Sequence, residues 1–191
     1  MRIIAGRFKG RKLKSVPGEK TRPTADRVRE ALFSILGGAV PGIRVLDLFA
    51  GTGALGLEAL SRGAAKVVFV ENHRPALEVI RANISGLGRE AESEIMAADW
   101  RSALARLGER GERFGLILAD PPYRAGGEMN GSPGENILSR IDGSGTLQQD
   151  GLVAVEHLYG LEPVLPPGAW RRLQAKRYGR TGLTIYSIIA I

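Results

Sequence analysis

Short apolar runs alternate with longer mixed segments between residues 43 and 119, and this alternation constrains the fold more than any other feature. The apolar runs predict buried strands, and the segments between them predict helices. The predicted strands are 43–49, 66–70, 94–98 and 114–119, and the predicted helices are 54–62, 74–84 and 100–107. A strand–helix–strand order of this kind predicts a parallel sheet with helices on both faces.

Elements on both sides of this region extend the pattern. Thr24 is a predicted N-cap for a helix that reaches residue 36, and two short segments before it predict a basic β-hairpin. Residues 125–134 are too rich in glycine to predict regular structure. The hairpin segments are 2–5 and 11–16, the C-terminal helix is 136–141, and the C-terminal strands are 152–156, 171–178 and 182–189. The predicted organisation is an extension, 1–20, and one domain, 21–191.

The positive charge of the chain is concentrated at its N-terminus. Residues 1–30 contain ten Lys and Arg against three acidic residues, which equals the net charge of +7 of the whole chain. A neutral body with a basic extension is typical of a catalytic domain that binds a polyanion. A solvated basic tail that only improves solubility is the alternative.

The turn after the first predicted strand has the composition of a ligand-binding loop. It runs Asp-Leu-Phe-Ala-Gly-Thr-Gly from Asp47 to Gly53, and its glycines permit a tight turn and close approach by a ligand. Glu71 ends the next strand, where an acidic residue hydrogen-bonds both hydroxyls of a ribose. Spacing alone also fits a nicotinamide dinucleotide, because Gly56 completes a Gly-x-Gly-x-x-Gly pattern.

Two acidic residues favour S-adenosylmethionine over a dinucleotide. Asp47 precedes the glycines, where it could face an ammonium group and would repel a pyrophosphate. Asp99 ends the third strand, where it could reach an adenine amino group, cap the following helix, or do both. The predicted cofactor contacts are Asp47, Phe49, Ala50, Gly51, Gly53, Glu71, Asn72, Asp99 and Trp100.

The tetrapeptide at the end of the fourth predicted strand fits chemistry on an amino nitrogen. It consists of Asp120, Pro121, Pro122 and Tyr123, which we predict to be the catalytic residues. An aromatic amino group is a poor nucleophile until acceptors hold its N–H groups and turn its lone pair outward. Asp120 and the Pro121 carbonyl supply two such acceptors, and Tyr123 offers a face for stacking a base.

Composition narrows the reaction further. The chain has no cysteine, so it lacks the thiolate that methylation of a pyrimidine ring carbon requires, and a nitrogen acceptor is expected. With two histidines and no cysteine, no metal site is expected. The sequence shows no membrane-length apolar run and no signal peptide, which predicts a cytoplasmic location.

Several motifs together resemble a known family. The runs Arg2–Gly6, Arg22–Thr24 and Arg29–Phe33 resemble the N-terminal signature of the RsmD family, bacterial enzymes that methylate guanine N2 in 16S ribosomal RNA. The resemblance implies a Rossmann-like class I methyltransferase with a seven-stranded, mostly parallel α/β sheet, its last strand antiparallel, and a small N-terminal extension. It also implies one guanine of small-subunit RNA, free or in an assembling subunit, as the substrate.

Basic residues in two regions are candidate RNA contacts. A second cluster, 171–180, could line the far side of the site or protect an exposed edge strand. The predicted contacts are Arg2, Arg7, Lys9, Arg11, Lys12, Lys14, Arg22, Arg29, Arg177 and Arg180. Three alternatives stay open: an adenine-N6 methyltransferase on DNA or RNA, a glutamine-N5 protein methyltransferase, and a non-catalytic RNA-binding or assembly protein. Nothing in the sequence calls for a dimer, so a monomer is expected.

Overall fold

The computed structural model describes residues 1–17, 23–122 and 136–188, which form five α-helices and seven β-strands. A short 3-10 turn, Gly37–Ala39, follows the first helix. In chain order the elements are α1 (Pro23–Leu36), β1 (Arg44–Asp47), α2 (Ala54–Ser61), β2 (Lys66–Glu71), α3 (Arg74–Leu87), β3 (Ser93–Ala97), α4 (Trp100–Glu109), β4 (Phe114–Ala119), α5 (Ile137–Ser144), β5 (Leu147–Leu158), β6 (Trp170–Tyr178) and β7 (Thr181–Ile188).

All seven strands belong to one sheet with the order β3-β2-β1-β4-β5-β7-β6. The first five pair in parallel, whereas β7 runs antiparallel to both β5 and β6. The predicted mostly parallel sheet with an antiparallel last strand is therefore confirmed. The parallel strands end along one side, which we call the carboxyl edge, and the turn from β6 to β7 lies there too, because Thr181 pairs with both Leu158 and Tyr178.

Helices cover both faces of the sheet. On one face α1, α2 and α3 pack against strand residues such as Val45, Val67 and Leu116. On the other face α4 and α5 cover residues that include Leu46 and Ile117. Because adjacent strand residues point to opposite faces, the apolar runs of the central strands are buried on both sides.

The N-terminal arm, which we define as residues 1–17, is part of this packing. Its residues pair around one antiparallel bridge between Arg2 and Lys12, with Ile3 N–H donating to the Arg11 carbonyl at 3.0 Å. Ile3 and Leu13 are buried in the same apolar cluster as α1 and α2. The division at residue 20 stays a prediction.

Element boundaries differ from the prediction where polar residues or glycines intervene. Strand β1 ends at Asp47, so Leu48 and Phe49 belong to the turn, and β5 begins five residues earlier than predicted. Helix α3 continues to Leu87 and ends at Gly88, whose φ of 61° is left-handed. Helix α1 begins at Pro23, a favoured first-turn residue, so Thr24 is not its cap. The predicted loop 125–134 lies outside the described residues.

Within the described residues, no helix is both long enough and apolar enough to cross a membrane.

Candidate active site

The turn after β1 has the backbone that its glycines predict. Gly51 and Gly53 have φ values of 53° and 80°, which glycine adopts with little strain. Gly56 has a packing role, because a Cβ at this position would lie 2.3 Å from the Phe69 ring on β2. The turn therefore holds the first residues of α2 close to the sheet and leaves Gly51 facing open space.

The buried side chain of Asp47 fixes this turn through a hydrogen bond to its backbone. Its Oδ2 accepts the Gly56 N–H at 3.0 Å, its side chain has 0% exposure, and its Oδ1 has no hydrogen-bond partner among the described residues. Burial, together with the nearby charges of Asp120 and Glu71, raises the pKa of Asp47 to about 7. The carboxylate does not line the cavity, so the structure does not show the direct ligand contact predicted for it.

Glu71, at the end of β2, connects the glycine turn to the loop that follows β2. One carboxylate oxygen accepts the Gly51 N–H at 2.8 Å, and the other accepts the N–H groups of Asn72 and His73, each at 2.8 Å. These bonds fix the carboxylate at the end of β2, in the wall of the cavity. Oε2, which accepts only the Gly51 N–H, keeps a further acceptor position, so a ligand hydroxyl can still bind there.

Asp99 and Trp100 form the third part of the wall. Asp99 caps α4, since its Oδ1 accepts the Arg101 N–H at 3.0 Å, and it also lines the cavity. The ring of Trp100 lies 5.8 Å from that of Phe49, centre to centre, at an angle of 50°. The two rings give the cavity an apolar surface next to the Asp99 carboxylate, which suits a flat heteroaromatic ligand.

Asp120 follows β4 directly and opens into the same cavity as Pro121 and Pro122. The surrounding protein displaces enough water to raise the pKa of Asp120 to about 6. Tyr123 lies outside the described residues.

Glu156 is a neighbour that the sequence did not single out. Ala119 pairs with Val155, so Glu156 stands beside Asp120 on the adjacent strand β5. Burial and the charge of Asp120 raise the pKa of Glu156 to about 8. The parallel register was the missing information, because the sequence pattern did not specify how β4 and β5 align.

One cavity of about 750 Å³ at the carboxyl edge brings most of the predicted residues together. Ala50 and Gly53, like Asp47, do not line it. Val16, His73 and Ala76 line it without having been predicted. The predicted residues in its wall are Phe49, Gly51, Glu71, Asn72, Asp99, Trp100, Asp120, Pro121 and Pro122.

Buried polar groups hold the N-terminal arm against α2 and α3. The wholly buried Glu58 accepts the N–H groups of Ile4 and Ala5 at 2.7 and 3.0 Å. Asn83 of α3 accepts the Lys14 N–H at 2.7 Å and donates to the Thr52 carbonyl at 2.9 Å. The arm is thus bonded to the glycine turn through one side chain.

Most of the predicted RNA contacts lie on the surface, with one exception. Arg29 is 4% exposed and donates to the Arg2 carbonyl and to Asp26, so its predicted RNA contact is wrong: its guanidinium holds the arm onto α1. Arg22 lies outside the described residues. The exposed members are Arg2, Arg7, Lys9, Arg11, Lys12 and Lys14 on the arm, and Arg177 and Arg180 at the β6–β7 turn.

Comparison with known proteins adds a family and a fold. The chain matches the family model described as conserved hypothetical protein 95 over residues 1–187. It is 33% identical over 188 residues to the ribosomal RNA small subunit methyltransferase D of Escherichia coli (strain K12), covering 97% of this chain and 89% of that one.

Two solved structures share the architecture. Hypothetical protein TTHA0928 of Thermus thermophilus is 30% identical, with a TM-score of 0.78 and coverage of 100% of this chain and 99% of that chain. The 16S rRNA N2 methyltransferase RsmC of Thermus thermophilus, in complex with AdoMet and guanosine, is 22% identical, with a TM-score of 0.66 and coverage of 91% and 45%. The second likeness is one of fold, that of a Rossmann-like methyltransferase.

Proposed function

We propose that this chain, a ribosomal RNA methyltransferase of the RsmD family, methylates the N2 amino group of one guanine in small-subunit ribosomal RNA. The family model that it matches is described as conserved hypothetical protein 95. The observation that carries this proposal is the position of Asp120, Pro121 and Pro122 in the wall of the cavity that the glycine turn, Glu71 and Asp99 also line. An amino-nitrogen site and a nucleoside-binding wall therefore share one space.

S-adenosylmethionine is the methyl donor in this proposal, and the residues present fit its charge and shape. Asp47 keeps one buried carboxylate oxygen without a partner among the described residues, behind the turn where a cationic amino acid group would lie. Glu71 Oε2 offers an acceptor for a ribose hydroxyl, and Asp99 with Trp100 and Phe49 forms an apolar and acidic wall for adenine. When bound, the cofactor supplies an electrophilic methyl group.

Asp120 and the Pro121 carbonyl orient the acceptor nitrogen. As a carboxylate, Asp120 accepts one N–H of the amino group, and the proline carbonyl accepts the other, which leaves the nitrogen lone pair free to face the cofactor side. Asp120 is also placed to take the proton that the nitrogen loses. Because its pKa is about 6, the group is mostly ionised at neutral pH and is a competent acceptor.

The choice of guanine N2 in small-subunit RNA rests on family membership and on the basic arm. The adenine-N6 alternative uses the same Asp-Pro-Pro turn, so the geometry of the site alone does not separate the two bases. A base in structured RNA must leave its stack to enter the cavity. The target is therefore expected to be a nucleotide in a loop or one that is flipped out of a helix. We propose that the enzyme acts as a monomer. We also propose that it acts in the cytoplasm, where the assembling subunit is found.

A transfer assay tests the proposal. Labelled S-adenosylmethionine is incubated with the protein and with small-subunit RNA, large-subunit RNA or subunit proteins from cells that lack the activity. We expect label in small-subunit RNA. Asp120→Ala is expected to slow the transfer by about a hundredfold or more, because the amino group loses its charged acceptor, while calorimetry shows unchanged cofactor affinity. Label only in protein, or an Asp120→Ala variant of full activity, contradicts the proposal.

A further inference from the structure

A stacked pair of side chains lies at the carboxyl edge, on the side of the sheet toward β6. The guanidinium of Arg177 lies 4.2 Å from the centre of the Tyr159 ring, and Tyr159 is 53% exposed. Neither residue lines the cavity that contains Asp120. The predicted contacts at this end of the chain included Arg177 and Arg180 but not an aromatic residue.

Backbone bonds hold this pair in place. The Tyr159 N–H donates to the Arg180 carbonyl at 2.9 Å, and the Arg177 Nε–H donates to the Gly179 carbonyl at 2.9 Å. Both bonds involve the short turn between β6 and β7, which the pairing of Thr181 with Leu158 and Tyr178 fixes at the carboxyl edge. The stack is therefore a supported platform and not two free side chains.

The strand topology divides the basic cluster 171–180 into two parts. Arg172, toward the opposite end of β6, bonds to Glu162 at 3.0 Å. Lys176 and Arg180, close to the stack, are exposed and form no ion pair with any of the described residues. Exposed positive charge with no ion pair among the described residues thus lies at and next to the β6–β7 turn, at the carboxyl edge.

This combination fits a nucleotide better than it fits an apolar partner. Bases stack on aromatic rings and on guanidinium planes regardless of their identity, and exposed Lys and Arg side chains bind phosphates. Strands in a sheet are about 4.8 Å apart, so β6, the third strand from β4, lies roughly 14 Å across the sheet, within reach of one RNA loop. Val16 of the N-terminal arm packs against Ala76 of α3 and lines the cavity on the side away from β6.

Given the RNA substrate proposed above, we propose that Tyr159, Arg177 and Arg180 bind a single-stranded nucleotide of the substrate RNA that flanks the methylated base. The base stacks on the Tyr159–Arg177 pair, and Arg180 contacts its phosphate. This platform holds the RNA on the β6 side of the cavity, while Asp120 receives the base to be methylated.

Two measurements on the full-length protein test this site. RNA affinity is measured by fluorescence anisotropy with a labelled small-subunit RNA fragment, and KM and kcat are measured by methyl transfer at saturating cofactor. Tyr159→Ala is expected to weaken binding and raise KM about tenfold or more, whereas Tyr159→Phe keeps the stack and stays close to the wild type. Arg180→Ala is expected to lower the salt slope of binding by about 0.7.

Arg106→Ala is the matched control, because Arg106 is an exposed arginine in the last turn of α4 and outside the platform. Unchanged affinity and KM in Tyr159→Ala overturn the platform, as does an equal loss in Arg106→Ala. The binding measurement separates this result from the proposed reaction. A wild type that binds RNA through Tyr159 but transfers no methyl group leaves the platform standing and overturns only the reaction.

Discussion

Three carboxyl groups lie on or directly after three adjacent strands at the carboxyl edge: Asp47 ends β1, Asp120 follows β4, and Glu156 lies near the end of β5. Burial raises the pKa of Asp47 to about 7, and burial with the charge of Asp120 raises that of Glu156 to about 8. The side chain of Asp120 opens into the cavity, and the loss of part of its water raises its pKa to about 6. Each group is less stable as a carboxylate here than in water, so ionisation works against folding. Perturbed carboxyls of this kind are concentrated at functional sites, and a bound cation would relieve their repulsion.

The Asp47→Asn variant tests the energetic role of this burial. Because the folded state of the wild type binds the proton more tightly, its stability is highest below the unfolded pKa of 3.8 and falls as pH rises through about 7. The asparagine side chain has no charge to bury and can still accept the Gly56 N–H, so the variant is expected to lose less stability over this range, by up to about 4 kcal/mol. Denaturant unfolding at pH 4 and pH 8 measures the difference. If the free energy of unfolding changes equally with pH in the two proteins, ionisation of the buried Asp47 does not destabilise the fold.

At the level of single residues, the sequence identified acidic and glycine positions well but not their contacts. The residues Glu71, Asp99 and Asp120 were predicted and line one cavity. Asp47 bonds Gly56 through one carboxylate oxygen, and its ligand contact stays a prediction. Arg29 was predicted to contact RNA and is buried against the arm. A residue's type suggests its chemistry, but burial depends on partners that are distant in sequence.

At the scale of elements, the N-terminal arm is coupled to the cofactor turn. Asn83 of α3 donates to the carbonyls of Lys14 and Thr52 at 3.1 and 2.9 Å. Val16 of the arm lines the cavity and packs with Ala76 of α3. RNA that binds the arm and shifts it would therefore also shift one wall of the cofactor cavity.

Asn83→Ala measures this coupling. The change leaves the Lys14 and Thr52 backbone groups without their side-chain partner, so stability is expected to fall by about 2 kcal/mol and cofactor affinity by about tenfold. Isothermal calorimetry and thermal unfolding give the two values. Arg81→Ala, an exposed substitution on the same helix, is the control. Cofactor affinity equal to that of the wild type would show that the arm and the turn are independent.

The sequence predicted the central elements because their apolar pattern is local. Strands β2 and β4 and the start of α4 were placed within one residue of their observed bounds. The start of β5 was missed, because Leu147 is followed by the polar residues Gln148, Gln149 and Asp150, and the sheet is irregular between Phe114 and Leu116. The anchoring of the arm was missed because Glu58 and Asn83 have no local feature that marks them as buried.

At the scale of the whole molecule, exposed basic charge lies on the N-terminal arm and at the β6–β7 turn. The β6–β7 turn lies at the carboxyl edge, and Val16 at the end of the arm lines the cavity there. The basic turn of the arm, residues 7–11, bonds Ser61 and Gly86 at the far ends of α2 and α3. RNA that contacts both basic regions must therefore extend from the carboxyl edge along α2 and α3.

The salt dependence of RNA binding tests the arm. Replacing Arg7, Lys9 and Lys12 with Ala is expected to reduce the slope of log affinity against log salt by about 2 to 3. Each phosphate contact that is lost means that fewer counterions leave the RNA on binding. Arg11 is left in place because its guanidinium donates to the Gly86 carbonyl at 2.6 Å. The control replaces Arg81, Arg106 and Arg110, exposed arginines of α3 and of the end of α4, which removes the same charge elsewhere. If both triple variants lose the same slope, the arm has no specific role in binding.

The identity of the methylated nucleoside tests the central claim most directly. Small-subunit RNA from cells that lack the activity is methylated by the wild-type protein with labelled S-adenosylmethionine, digested to nucleosides and analysed by mass spectrometry. We predict that the label is found in N2-methylguanosine, at one position, and that the Asp120→Ala variant yields almost none. Label in N6-methyladenosine, or in no nucleoside at all, would contradict the assignment of guanine N2 as the acceptor.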